Sequence, residues 1–418
     1  MHLPEMMRIR QKLDTPFLRE VASEVVSQIQ ALKLPGKIKQ GAAIAVGCSS
    51  RGIANYALIV RATVESLLNC GFKPFIFPAM GSHGSATPEG QQKVLADYGI
   101  SEKTIGVPIK SSLDVVQIAT TGQQIPVYID KLAAEADHIV LINRIKAHTE
   151  FDADIESGLM KMTAIGLGKK TGATLYHQAV MVHGYYRVIT SVARKVLESG
   201  KILFGVGIVE NGLSQTSQIA VVKAEELEQQ EKKLLQEAKR LTARLPFEQV
   251  DVLIIDEMGK DISGTGFDTK MVGRILMPLV AEEPKSPQVK RIVVLDLTKN
   301  SAGNADGIGI ADFVTRRLVD KVDLNALYVN AIAGAEPEHA KIPLTLKNDR
   351  EAIEVAVGSV GLIPTDKLKI IRIKNTLRLD EIEVSVAYQI QLRRRDDLTV
   401  IKNPRAMQFD RTGNLQPF

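Results

Sequence analysis

Residues 74–98 read PFIFPAMGSHGSATPEGQQKVLADY, and their order of residue types decides the fold. An apolar run (74–79) predicts a strand, a glycine-flanked loop follows, and an amphipathic stretch (88–98) predicts a helix. Thr87 suits an N-cap and Pro88 the first helical position, so the helix begins just beyond His83. A strand passing through a loop into a helix is one βα unit. The same alternation recurs outward in both directions, with strands expected over 42–47, 138–143, 202–209, 252–256, 291–295 and 368–373. Helices are expected over 59–68, 187–198 and 310–320. This is an α/β chain with mostly parallel sheets.

At 418 residues the chain exceeds one comfortable core, so two α/β domains are expected. The charge-laced stretch 224–245, with Glu228 four residues before Lys232 and Pro246 after it, reads as an exposed helix closing the first domain. The expected division is 1–247 and 250–400, with the tail 404–418 returning to the first domain.

Composition narrows the function classes. Apolar residues make up 45%, charged residues 24% and aromatics 5%, with no Trp, which gives little to stack nucleic-acid bases on. The net charge is only +5, and the longest basic run, Arg393 to Arg395, reads as a solvated face. Nucleic-acid partners are therefore not expected, nor membrane partners, since no apolar stretch nears the ~20 residues of a spanning helix. Two cysteines, Cys48 and Cys70, fit a reducing compartment, and no apolar leader follows Met1, so a cytoplasmic location is expected.

Ligands of α/β sheets gather at the carboxyl ends of strands, so the loops leaving them carry the chemistry. The first is 47–52, GCSSRG, where Arg51 can fork onto a carboxylate or phosphate; it reads equally as an ordinary turn. The second, 80–89, holds His83 between small residues with nothing local to bury it. The third runs from Asn143 through His148, four acids and Lys161, and its carboxylates read as a solvated face. Beyond it lie 166–172, GLGKKTG, and His177. Lys170 after Gly168-Lys169 breaks the Walker pattern, and Gly172 sits one place too late for a dinucleotide fingerprint. The glycines with Lys169 and Lys170 read equally as a phosphate cradle or as a turn. No histidine spacing makes a zinc site. His83 and His148 each titrate near neutrality on separate strand ends, and racemisation or epimerisation demands two such groups on opposite sides of one centre.

Taken together, Gly81-Ser82-His83, His148, Ser157-Gly158-Leu159-Met160-Lys161 and His177, sixteen positions beyond the lysine, resemble the nickel-dependent lactate racemase family and its 2-hydroxyacid racemase and epimerase homologues. The resemblance implies two α/β domains with the site in the cleft between them. It implies a covalently linked nickel-pincer nucleotide, pyridinium-3-thioamide-5-thiocarboxylic acid mononucleotide with nickel, supplied by cofactor-synthesis enzymes. Lys161 matches its attachment point and His177 its metal ligand, while His83 and His148 match the acid/base pair and Arg51 a substrate contact. In the second domain Lys270 is a counterpart of a substrate lysine, and Asn304 lies in a further loop expected to line the cleft. The implied reaction is reversible hydride transfer from a small chiral 2-hydroxy acid. Cys48 stands where lactate racemases carry Asp, Gly84 where they carry Arg, and the 148–161 stretch is longer, so a substrate other than lactate is expected. The competing expectation is a non-catalytic α/β protein that binds a small carboxylated or phosphorylated ligand.

Overall fold

The computed structural model describes residues 2–50 and 52–418. The chain forms two compact units, one of Thr15–Thr242 and the other of Met1–Asp14 with Ala243–Phe418.

The Thr15–Thr242 unit is built on a five-stranded sheet. Its order is Lys73–Pro78, Ala43–Cys48, His138–Arg144, Ile202–Glu210 and Thr216–Lys223. The first four strands run parallel, and the last turns back antiparallel at the edge. Ile44, Ala45, Val46 and the run Ile139 to Ile142 have no exposed surface, because helices cover both faces of a parallel sheet. The chain leaves Ala43–Cys48 for the strand on one side and returns as His138–Arg144 on the other. In open α/β sheets ligands bind beyond the carboxyl ends of the strands flanking such a reversal. The loops 49–55, 79–87 and 145–158 all start there. Thr87 caps the Pro88–Asp97 helix, its Oγ1 accepting the Gly90 N–H at 3.0 Å, as the sequence predicts.

The other unit holds an eight-stranded sheet. Five parallel strands, Leu344–Leu346, Phe313–Thr315, Gln288–Val294, Gln249–Ile255 and Ile370–Ile373, continue into the antiparallel Glu381–Ser385, Met6–Gln11 and Leu398–Arg405. The first strand of the chain thus completes the sheet of the second unit. It is held by the buried Arg8–Glu383 pair at 3.0 Å, with Arg372 on the same carboxylate at 3.1 Å.

Three expectations need correction. The tail does not return to the first unit: Arg350 N donates to Gly413 O at 2.9 Å, Leu415 N donates to Asp349 at 2.8 Å, and Arg8 sits 4.5 Å over the Phe418 ring. Residues 310–320 are not one helix but a 3-10 turn, the short strand Phe313–Thr315 and the short helix Arg316–Val319, since Phe313, Val314 and Thr315 favour a strand. The 224–245 stretch is helical only over Leu227–Leu241 after a 3-10 turn, and it buries a stripe of Leu227, Glu231, Leu234, Leu235, Ala238 and Leu241.

Candidate active site

The loop after His138–Arg144 is closed at its neck. Lys146 and Ser157 exchange backbone bonds of 2.9 and 3.2 Å, and Asn143 Nδ2 donates to Gly158 O at 2.8 Å. Inside that neck the buried Glu156 accepts the His148 N–H at 2.6 Å and the Ala153 N–H at 3.0 Å, while Lys239 pairs with its carboxylate. Glu150 is buried as well and accepts the Tyr185 hydroxyl at 2.6 Å. The acids of this loop are thus not all solvated, as the sequence suggested. Only Asp152 and Asp154 lie at the surface, 3.4 Å from Lys239 and 3.5 Å from Lys232.

These bonds fix His148. Its ring is buried, 4.5 Å from Phe151 and 5.4 Å from Tyr185, and Phe151 and Tyr185 stack at 4.7 Å. Glu150 N donates to His148 Nδ1 at 3.1 Å. Nε2 in turn touches Lys161 Nζ.

Lys161 ends a single helical turn, Leu159–Lys161, that runs directly into a π-helical segment, Met162–Gly166. Such π segments are rare and concentrate at functional sites. The start of the turn is capped from afar. Glu231 Oε2 accepts the Met160 N–H at 2.8 Å, and the Leu159 amide also faces this carboxylate. Burial pushes the Glu231 carboxyl up to about 8, against those two N–H groups. Gly158 is required here, because a Cβ would meet Glu231 Oε1 at 2.4 Å. Glu231→Ala should leave two amides buried without acceptors and cost about 2–4 kcal/mol in denaturant unfolding, whereas Glu231→Gln keeps an acceptor and should stay near the parent. Equal stability of the alanine variant and the parent would show that the cap contributes nothing.

His177 lies on the Lys169–His183 helix, edge-on to Tyr185 at 6.4 Å. Its ring is half-buried, but Nδ1 is fully buried and has no hydrogen-bond partner among the described residues. Burial pulls its pKa down to about 4, the Lys161 charge adds to the fall, and Glu150 opposes it. The native ring is therefore neutral at pH 7. As pH drops through 6.5 the unfolded chain takes a proton that the native ring refuses, so stability falls, reaching a loss of about 3 kcal/mol near pH 4. His177→Gln should remove this component, visible as a parent-minus-variant difference that shrinks between pH 6.5 and 4. A difference that stays flat would contradict it.

His83 is exposed at the end of the Lys73–Pro78 strand, and its Nδ1 contacts Ser50 Oγ of the adjacent loop. Its loop is tied to the π segment by Gly81 N donating to Gly166 O at 3.3 Å. Gly84 has φ +64°, and a Cβ there would lie 2.7 Å from the Gln91 nitrogen, so an arginine has no room at this position. Cys48 is fully buried, with its thiol pushed up to about 12.

His148, Lys161 and His177 thus come together in one unit, with His83 at the end of the strand two places away in the same sheet. Lys270 and Asn304 belong to the other unit. Lys270 sits in the first turn of Thr269–Val272, its N–H donated to Asp268 at 3.1 Å, and Asn304 Nδ2 donates to Asn330 at 3.3 Å. Arg51 lies outside the described residues. The phosphate-cradle reading of Lys169 fails, because its ammonium is buried on Pro78 O, Gln91 and Asp130. Among the described residues no group of three or more His, Cys, Asp or Glu side chains is placed to hold a metal ion by itself. No helix of the described residues is long and apolar enough to cross a membrane.

Sequence reasoning passed over Glu231 and Gln91 and took Glu150 and Glu156 for solvated acids. Only Glu231 carried a local signal, a lone acid on the apolar stripe of its helix.

The Thr15–Thr242 unit is a mostly parallel α/β sheet with its loop histidines beyond the carboxyl ends of the strands, the side on which such sheets take ligands. Residues 17–187 match the lactate racemase N-terminal domain family model. Among solved structures the chain is similar to the lactate racemase apoprotein from Thermoanaerobacterium thermosaccharolyticum. Identity is 15%, the TM-score is 0.53, and the match covers 88% of this chain and 98% of that one, a likeness of fold. No curated protein matches the chain.

Proposed function

We propose that the protein is a racemase or epimerase of a 2-hydroxy acid other than lactate, acting with a nickel-pincer nucleotide. One observation carries the reading: Lys161 touches His148 Nε2, and its charge acts on His177, whose buried Nδ1 has no hydrogen-bond partner among the described residues. The residues fit the group. Lys161 is the attachment point, and His177, a neutral imidazole, is a ligand suited to nickel. When bound, the cofactor supplies a hydride acceptor for the substrate α-carbon.

The remaining work belongs to the chain. His148 is assigned the exchange of the hydroxyl proton, its ring oriented by the Glu150 N–H on Nδ1. Ser50 engages His83 Nδ1, which assigns His83 Nε2 to the same task for the opposite enantiomer. Arg51 takes the substrate carboxylate, and Lys270 and Asn304 are assigned further substrate contacts. Substrate exclusion follows from two positions: Cys48 is buried away from any ligand, and Gly84 cannot carry the arginine found in lactate racemases.

The test is protein produced together with cofactor-synthesis enzymes and offered a panel of single-enantiomer 2-hydroxy acids, followed by chiral chromatography. Inversion of at least one non-lactate acid is expected. Cofactor-loaded protein that inverts none would overturn the reading.

A further inference from the structure

We infer that Lys169 and Gln91 form a buried relay that positions His83, an inference that rests on reading His83 as an acid/base group. Lys169 Nζ lies 2.8 Å from Pro78 O, 2.7 Å from Gln91 Oε1 and 3.4 Å from the Asp130 carboxylate. Gln91, in the first turn of the Pro88–Asp97 helix, is fully buried and donates from Nε2 to Gly81 O at 2.9 Å and to His83 O at 3.2 Å. The orientation of this amide is not arbitrary. An ammonium only donates, so Gln91 must turn its oxygen to Lys169 and its NH2 to the two carbonyls. Lys169 therefore fixes Gln91, and Gln91 grips the loop at His83 itself.

The relay joins the two halves of the proposed site. Lys169 is the first residue of the helix that carries His177, and Pro78 is the last residue of the strand that leads to His83. Lys169 also holds φ +52°, a left-handed conformation that a lysine rarely adopts. Burial pulls the Lys169 ammonium down and pushes the Asp130 carboxyl up, so the pair is a poor choice for stability alone. Placement of a backbone carbonyl is a task that an apolar replacement cannot perform.

The experiment uses the full chain with Gln91→Met and Gln91→Glu. Gln91→Met removes both bonds to the loop. Gln91→Glu keeps the Lys169 contact, and with it the fold, but sets a carboxylate oxygen against the Gly81 and His83 carbonyls. Carbethoxylation of His83, read by peptide mass against the exposed His2 as internal standard, should accelerate several-fold in both variants of the unloaded protein. In the loaded enzyme, single-turnover reaction should slow about 10–100-fold for one enantiomer and stay within about twofold for the other, with substrate affinity unchanged. Should Gln91→Met fail to fold, Gln91→Glu decides the matter. Unchanged modification of His83, or equal slowing of both enantiomers, would overturn the relay. If the parent inverts no hydroxy acid, the functional reading has failed, while the modification arm still decides whether Gln91 positions His83.

Discussion

Replacing Lys161 with alanine should abolish cofactor attachment and, with it, all inversion of substrate. Three independent constraints hold Lys161 in its position. Glu231 caps its turn from another helix, Gly158 leaves room for that carboxylate, and the π segment that follows changes the pitch directly after it. Its Nζ meets His148 Nε2 and its charge acts on His177, so the removal of one side chain reaches every other group of the cluster. The measurement is intact mass and absorbance after production with the cofactor-synthesis enzymes. The parent should carry a nucleotide-sized adduct that maps to the Lys161 peptide, and Lys161→Ala should carry none. Retention of the adduct by the variant would place the attachment elsewhere.

Single substitutions His83→Ala and His148→Ala should each cost about 10²–10⁴-fold in turnover, the usual worth of a positioned acid or base. The losses should not add, because removing either group already interrupts the cycle. Both variants should keep the cofactor, since neither histidine is its anchor. Their difference lies in stereochemistry. His148→Ala should spare the half-reaction of the enantiomer served by His83, and the reverse should hold for His83→Ala, when each enantiomer is followed in a single turnover. Equal reaction of both variants with both enantiomers would leave one histidine with a purely structural role.

The fold was legible where local pattern and burial agree. Parallel strands covered on both faces must be apolar throughout, so runs such as HIVLIN stand out, and the capped helix at Pro88 announces itself through Thr87. The strands that escaped notice are short, charged or distant in pairing. Met6–Gln11 carries Arg8 and Arg10 and pairs with residues near 383 and 402, a register that no local periodicity encodes. The same non-local pairing keeps the tail with the second unit. At the site, His83 and His148 stood out as candidates because they sit in loops after strands, whereas Lys161 and His177, which lie on helices, were picked out only by the motif set that resembles lactate racemases. Glu150, Glu156, Gln91 and Lys169 were not. A polar residue looks solvated in sequence, and only tertiary packing shows that Glu156 caps a loop from within it or that Lys169 is sealed beneath the sheet.

The central claim is that the substrate α-carbon gives up and regains its own hydrogen as hydride while histidines move only the hydroxyl proton. The most direct measurement is inversion of an accepted 2-hydroxy acid in deuterated water, with optical purity and α-carbon deuterium followed together. The account predicts that enantiomeric excess decays while the α-position stays protiated. Deuterium appearing at the α-carbon in step with inversion would contradict it, because the hydrogen would then have left as a proton.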